Sequence, residues 1–206
     1  MSAVNLPFPP ALWDDLAKVD PTKVARVSGA VHENGRFTLD FLGAPFTVDL
    51  NQRMVTGPPN RKRADFQRAL VLVVYLAHCG SRDPPDPAGR LIGTMEVPGG
   101  PMFFRGPHVI ATAPLEEHYA TNPEALAERA FSLGAQKSSQ CLFTWRVLPK
   151  VELGCVFEPQ DDEFPAQAGY LVDAHAHYYL PLDALWGLIN VATLELLPPN
   201  VPDPQF

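Results

Sequence analysis

Proline sets the outline of this chain. Twenty-three of its 206 residues are proline, and they bunch at Pro7–Pro10, Pro58-Pro59, Pro84–Pro87 and Pro198–Pro204. The ring removes a backbone donor and biases the preceding residue away from helix, so regular elements have to lie between the bunches. The prolines punctuate boundaries rather than form one disordered tract. No internal repeat is visible. A chain of this length, 46% apolar, is expected to be one globular domain over 1–206, with an extended lead-in over 1–10 and a proline-rich tail over 198–206.

The net charge is −7, and the densest basic run, Arg61-Lys62-Arg63, falls where a helix is expected to begin. Nucleic acid is therefore not expected as a partner. The longest apolar run, Ala69 to Ala77, is far shorter than the roughly 20 residues that span a bilayer. The first residues lack a basic region followed by an apolar stretch, so a cytoplasmic location is expected. Cys79, Cys141 and Cys155 are an odd, widely spaced set with no disulfide framework.

Between the prolines, Ala11 to Val19 reads as a short helix. Val24 to Val55 reads as a β-meander: Asn34-Gly35 is a hairpin signal, and Phe37, Leu39 and Phe41 alternate with Thr38 and Asp40. Arg63 to Cys79 is the strongest helix, nearly apolar all round in its second half and so expected at the centre. Leu91 to Val97, Cys141 to Leu148 and Val151 to Glu158 read as strands. In the last of these Cys155 points inward as an inert thiol. Helices follow over Leu115 to Ala120, Pro123 to Leu133 and Leu182 to Leu196, the last opened by Pro181 and stopped by Pro198. The class expected is α+β: an antiparallel sheet of about six to eight strands, with the Arg63–Cys79 and Leu182–Leu196 helices packed on one face.

Two stretches carry chemistry. Tyr170 to Tyr179 reads as a strand, which would put Asp173, His175 and His177 on one face. Two imidazoles and a carboxylate are a metal-ligand set, although Asp173 would lie about 13 Å from His177 along a strand. A solvent-facing polar strand side is the plainer reading. The second stretch is Gly99-Gly100 followed by Met102-Phe103-Phe104-Arg105-Gly106-Pro107-His108. It lacks the Lys-Ser/Thr ending of a phosphate loop. Arg105 would either clamp a carboxylate or phosphate, or pair with the acidic turn Asp161-Asp162-Glu163 to lock the fold. That acidic turn supplies too few oxygen donors for a calcium site by itself.

The run Gly99-Gly100, Phe103 to His108, Leu148-Pro149, Asp161 to Ala166, Leu171 to Asp173 and Leu180 to Trp186, in this order, resembles the bacterial and archaeal family catalogued as domain of unknown function 3786. The likeness is closest over the last 110 or so residues. It brings no established activity. It implies a shared site among the matching polar residues Arg105, His108, Asp161, Asp162, Glu163, Asp173 and Asp183. His175 and His177 lie outside the matching pattern. Some members resemble fusions to iron–sulfur modules, which implies an iron–sulfur or other redox protein as partner. This chain has no cysteine cluster, so no iron–sulfur cluster is expected within it.

No Gly-x-Ser-x-Gly, His-Glu-x-x-His or Walker loop is present. The first expectation is an accessory or binding protein that docks a redox or cofactor-carrying partner, or holds a small anionic ligand near Arg105 and His108. The alternatives are an enzyme with His108 as acid or base beside Arg105 and Asp162 or Glu163, and a metalloprotein using His175 and His177.

Overall fold

The computed structural model describes residues 2–4, 9–59, 65–199 and 201. The basic run Arg61-Lys62-Arg63, residues 5–8 of the lead-in and most of the tail lie outside the described residues.

The chain opens with a short strand, β1 (Ser2–Val4), and two helices, α1 (Pro10–Lys18) and α2 (Pro21–Ser28). The start of the expected meander is corrected here, because Val24 lies inside α2. The cause is local: the Asp20 side chain accepts the Thr22 amide at 3.0 Å, Pro21 occupies the first turn, and Gly29 ends the helix at φ 76°. Alternation takes over only after Gly29. The meander is β2 (Val31–Glu33), β3 (Arg36–Phe41), β4 (Ala44–Asp49) and β5 (Met54–Gly57), with Asn34 and Gly35 both at positive φ in the first hairpin. β1 adds to β5 as an antiparallel edge strand.

α3 (Asp65–Ser81) then crosses the molecule and packs against α1, α2 and α8 (Leu182–Leu196). Val71, Leu72, Val73, Tyr75, Leu76 and Cys79 of α3 are all buried, so it is the central helix its sequence predicts. The second half of the chain supplies β6 (Leu91–Gly93), α4 (Gly100–Phe103), α5 (Ala113–Tyr119), α6 (Pro123–Ser132), β7 (Gln136–Lys137), β8 (Leu142–Leu148), β9 (Val151–Glu158), β10 (Gln167–Asp173) and α7 (Ala176–Tyr179). One-turn 3₁₀ segments lie at Thr94–Glu96 and Gly106–His108.

The class is α+β, but the strands form two antiparallel sheets rather than one. Their orders are β1-β5-β4-β3-β2 and β6-β10-β9-β8-β7. The meander completes its own ladder before the chain passes through α3, and the later strands find one another instead. β3 lies against β8, where the Leu42 amide reaches the Val147 carbonyl at 2.9 Å. Helix packing differs too: α3 is bracketed by three helices rather than sharing one sheet face with α8 alone. No helix among the described residues is long and apolar enough to cross a membrane.

α8 is buried along nearly all its length, including the polar residues Asn190, Thr193 and Glu195. Arg68 of α3 pairs with Glu195 of α8. The Arg129 Nε of α6 donates to the Glu195 carbonyl at 2.7 Å, and the Tyr119 hydroxyl donates to the Leu196 carbonyl at 2.7 Å. These contacts satisfy carbonyls at the end of α8 that no further helical turn would reach.

Candidate functional site

The Gly99–His108 stretch forms a tight, exposed double turn. Gly99 sits at φ 82°, and a Cβ on Gly100 would come within 2.1 Å of the Thr94 carbonyl oxygen, so backbone packs directly on backbone there. The Phe104 amide bonds the Gly100 carbonyl at 2.9 Å, and the His108 amide bonds the Arg105 carbonyl at 3.1 Å. Phe104 is buried and anchors the turn. Phe103 stacks on His108 with centroids 4.3 Å apart, and the edge of Trp186 from α8 meets the His108 ring at 5.5 Å. The Trp186 indole N–H donates to the Val109 carbonyl at 3.4 Å.

This framework holds Arg105 outward. Among the described residues the Arg105 side chain has neither an ion-pair nor a hydrogen-bond partner. Met102 is 82% exposed and Val109 59% exposed on either side of it. The turn thus exposes a cation and, three residues before and four after it in the chain, two apolar side chains, beside the stacked Phe103–His108 pair.

The acidic turn does not join it. The Asp161 carboxylate accepts the Glu163 and Phe164 amides at 2.8 and 2.7 Å, and those backbone hydrogen bonds lower its pKa. Asp162 and Glu163 are exposed, and neither bonds Arg105 or His108.

The strand expected over Tyr170 to Tyr179 ends at Asp173, and the common face for Asp173, His175 and His177 is corrected accordingly. The buried Asp173 carboxylate accepts the amides of Ala88, Gly89 and His175 at 2.9, 2.8 and 2.8 Å, which turns the chain out of the sheet and into α7. The His175 Nδ1 lies 2.7 Å from the Asp86 carbonyl, and the Tyr179 hydroxyl donates to the Pro85 carbonyl at 2.6 Å. A carbonyl only accepts, so that geometry places the proton of a neutral His175 on Nδ1. Asp173, His175 and Tyr179 together pin the proline-rich loop. His177 lies against Tyr178 with centroids 4.0 Å apart and the rings tilted by 38°, its Nδ1 is buried without a hydrogen-bond partner, and burial lowers its pKa. Among the described residues no three His, Cys, Asp or Glu side chains converge on a metal-sized space.

Asp183 is exposed in the first turn of α8, where its carboxylate accepts the Ala184 amide at 2.8 Å. It faces His78 at the end of α3. Burial first, and the nearby Arg82 second, lower the His78 pKa, while Asp183 opposes them. Cys79 and Cys155 are buried, and desolvation pushes both thiols up to about 12.

Sequence reasoning missed the buried charge cluster. Arg68 and Glu195 are 2% and 4% exposed, with Arg129 Nη2 3.7 Å from the Glu195 carboxylate and the Phe46 ring 5.5 Å beneath the Arg68 guanidinium. The available signal was the single arginine of α3 and the single glutamate of α8, each with apolar residues close by in sequence, since such charges are rarely buried unless paired.

No curated protein and no solved structure matches the chain. A family model described as domain of unknown function (DUF3786) matches residues 20–194, which takes in α2, every strand from β2 to β10 and nearly all of α8. The chain therefore belongs to the DUF3786 family.

Proposed function

We propose that this chain is a non-catalytic binding protein that docks a partner protein through the Gly99–Val109 turn. One observation carries the reading: an exposed arginine whose side chain has no partner among the described residues lies in the chain between the exposed Met102 and Val109, on a turn that packs backbone against backbone at Gly100. Rigid mounting lowers the ordering cost of association, and a cation flanked by apolar side chains is the make-up of an interface anchor. The partner would present a carboxylate beside an apolar side chain. The iron–sulfur fusions that the family resemblance implies point to a redox or cofactor-carrying protein.

A small anion held on Arg105 is the second reading, and the lack of a described partner for the guanidinium favours it. The exposure of Arg105 weighs against it, since a lone exposed guanidinium gives a small ligand little to be enclosed by. The enzyme alternative needs a carboxylate within hydrogen-bond reach of His108, and Asp162 and Glu163 do not supply one.

The test is site-specific photocrosslinking in cells, with the crosslinker at position 102 and, as control, at the exposed Phe131 on α6. A discrete adduct at 102, absent at 131 and lost in Arg105→Glu, supports docking. Equal labelling at both positions, or none at 102, removes it.

A further inference from the structure

Three grooves on the outward side of the first sheet share Thr38, and one of them reaches the junction of the two sheets, where β3 and β8 meet. Its volume is about 360 Å³, within the roughly 300–1,000 Å³ range of small-molecule sites. Val31, Leu148 and Pro149 give it apolar lining, with Asp40 contributed by β3 and Arg146 by β8. Both charged side chains are exposed, and neither has an ion-pair or hydrogen-bond partner among the described residues. They line the same groove, and no ion pair joins them.

The walls are fixed. The Leu42 amide bonds the Val147 carbonyl at 2.9 Å, and the Tyr75 hydroxyl donates to the Ser28 carbonyl at 2.6 Å. At Gly29, a Cβ would come within 2.9 Å of the Pro149 Cβ, so only glycine lets the two walls approach this closely. The groove exists before any ligand arrives.

We infer that this groove binds a small zwitterion of amino-acid or dipeptide size. Its ammonium would sit on Asp40, its carboxylate on the Arg146 fork, and its apolar side chain against Val31 and Pro149. A ligand of one sign would engage one wall and leave the other charge to solvent, so only a zwitterion gains both charge-assisted contacts. The lining contains no Phe, Tyr or Trp, which removes the stacking platform that a sugar or a nucleobase uses. This site lies apart from the Arg105 turn and stands independently of the docking proposal.

The experiment is an amide-resolved NMR titration with glycyl-leucine, its N-acetylated form, its C-terminal amide, and free leucine. Saturable shifts at Gly29, Val31 and Val147 are expected, with each charge-blocked analogue weaker by about tenfold or more, the loss of one charge-assisted contact. Asp40→Asn should erase the penalty for N-acetylation alone, and Arg146→Gln the penalty for amidation alone. Both side chains are exposed, so the variants should keep the parent spectrum elsewhere. Tighter binding of leucine than of the dipeptide supports the same site with a shorter ligand. The inference is overturned by no saturable shift at tens of millimolar, or by shifts that neither substitution alters.

Discussion

The Gly89 amide of the proline-rich loop donates a 2.8 Å hydrogen bond to Oδ2 of Asp173, at the end of β10, across 84 residues of chain. Ala88 donates to the other oxygen at 2.9 Å, and so does His175 at 2.8 Å. A side chain matched to the family pattern thus serves as the pin of a loop. Asp173→Ala leaves three amides to find other acceptors. We expect a loss of about 3 kcal/mol and a fall in Tm of roughly 6–12 °C, read by thermal denaturation. Asp173→Asn keeps an acceptor oxygen and should lose less.

The pair Arg68–Glu195 joins α3 to α8 in the core. Removing one member strands the other in an apolar setting. Glu195→Gln is expected to lower stability by about 3–5 kcal/mol in denaturant unfolding. A double replacement of Arg68 and Glu195 by well-packed apolar residues should recover part of that loss. Losses that simply add would show that the two side chains do not act as a pair.

The three thiols should separate by burial. Cys79 and Cys155, with pKa values near 12, should stay unlabelled by a thiol reagent at pH 8 while the protein is folded. Cys141 is half-buried and should react alone, with the other two following in guanidinium. Two or more fast thiols in the native protein would mean that the β9 strand or the end of α3 opens readily.

His78 and His177 both carry folded-state pKa values below the ordinary 6.5, chiefly through burial. The unfolded chain then binds protons that the folded chain does not. The stability held at pH 7 and above should therefore fall as the pH drops through 6.5 toward the folded values. His78→Asn should flatten part of that slope between pH 7 and 5 in urea titrations. An unchanged slope in the variants of both histidines would place the proton uptake elsewhere.

Gly100→Ala tests the turn that carries Arg105. The new methyl would meet the Thr94 carbonyl oxygen at 2.1 Å, so the turn has to shift. We expect a cost of about 1–3 kcal/mol and a displaced His108 ring resonance, because Phe103 and Trp186 no longer frame that ring. A parent-like spectrum would show that the turn is less constrained than its contacts imply.

Much of this architecture was readable in advance where its causes are local. Pro181 and Pro198 bracket α8, and its limits fall at Leu182 and Leu196 as the prolines dictate. Inward alternation of Leu153, Cys155 and Phe157 is written in β9 itself. What escaped reading depends on distant partners. Tyr178-Tyr179 look like strand residues, but the Asp173 carboxylate ends the strand by capping His175 and the loop at 88–89. The division into two sheets rests on β6 pairing with β10, some eighty residues later, which no periodicity records. At the candidate site, Arg105 was legible as an unusual cation among apolar neighbours. Its freedom from the Asp161 turn was not, because that turn satisfies its own carboxylate with its own amides.

Every other helix and strand of the described chain precedes α8, yet α8 is among the most deeply buried elements and covers α3, the helix at the centre. During synthesis the flank of α3 meant for α8 must wait, apolar and uncovered, until residue 196 has left the ribosome. A chain cut short before Leu182 would keep its local hairpins but expose that flank. It would be a substrate for chaperones and proteases rather than a smaller working protein.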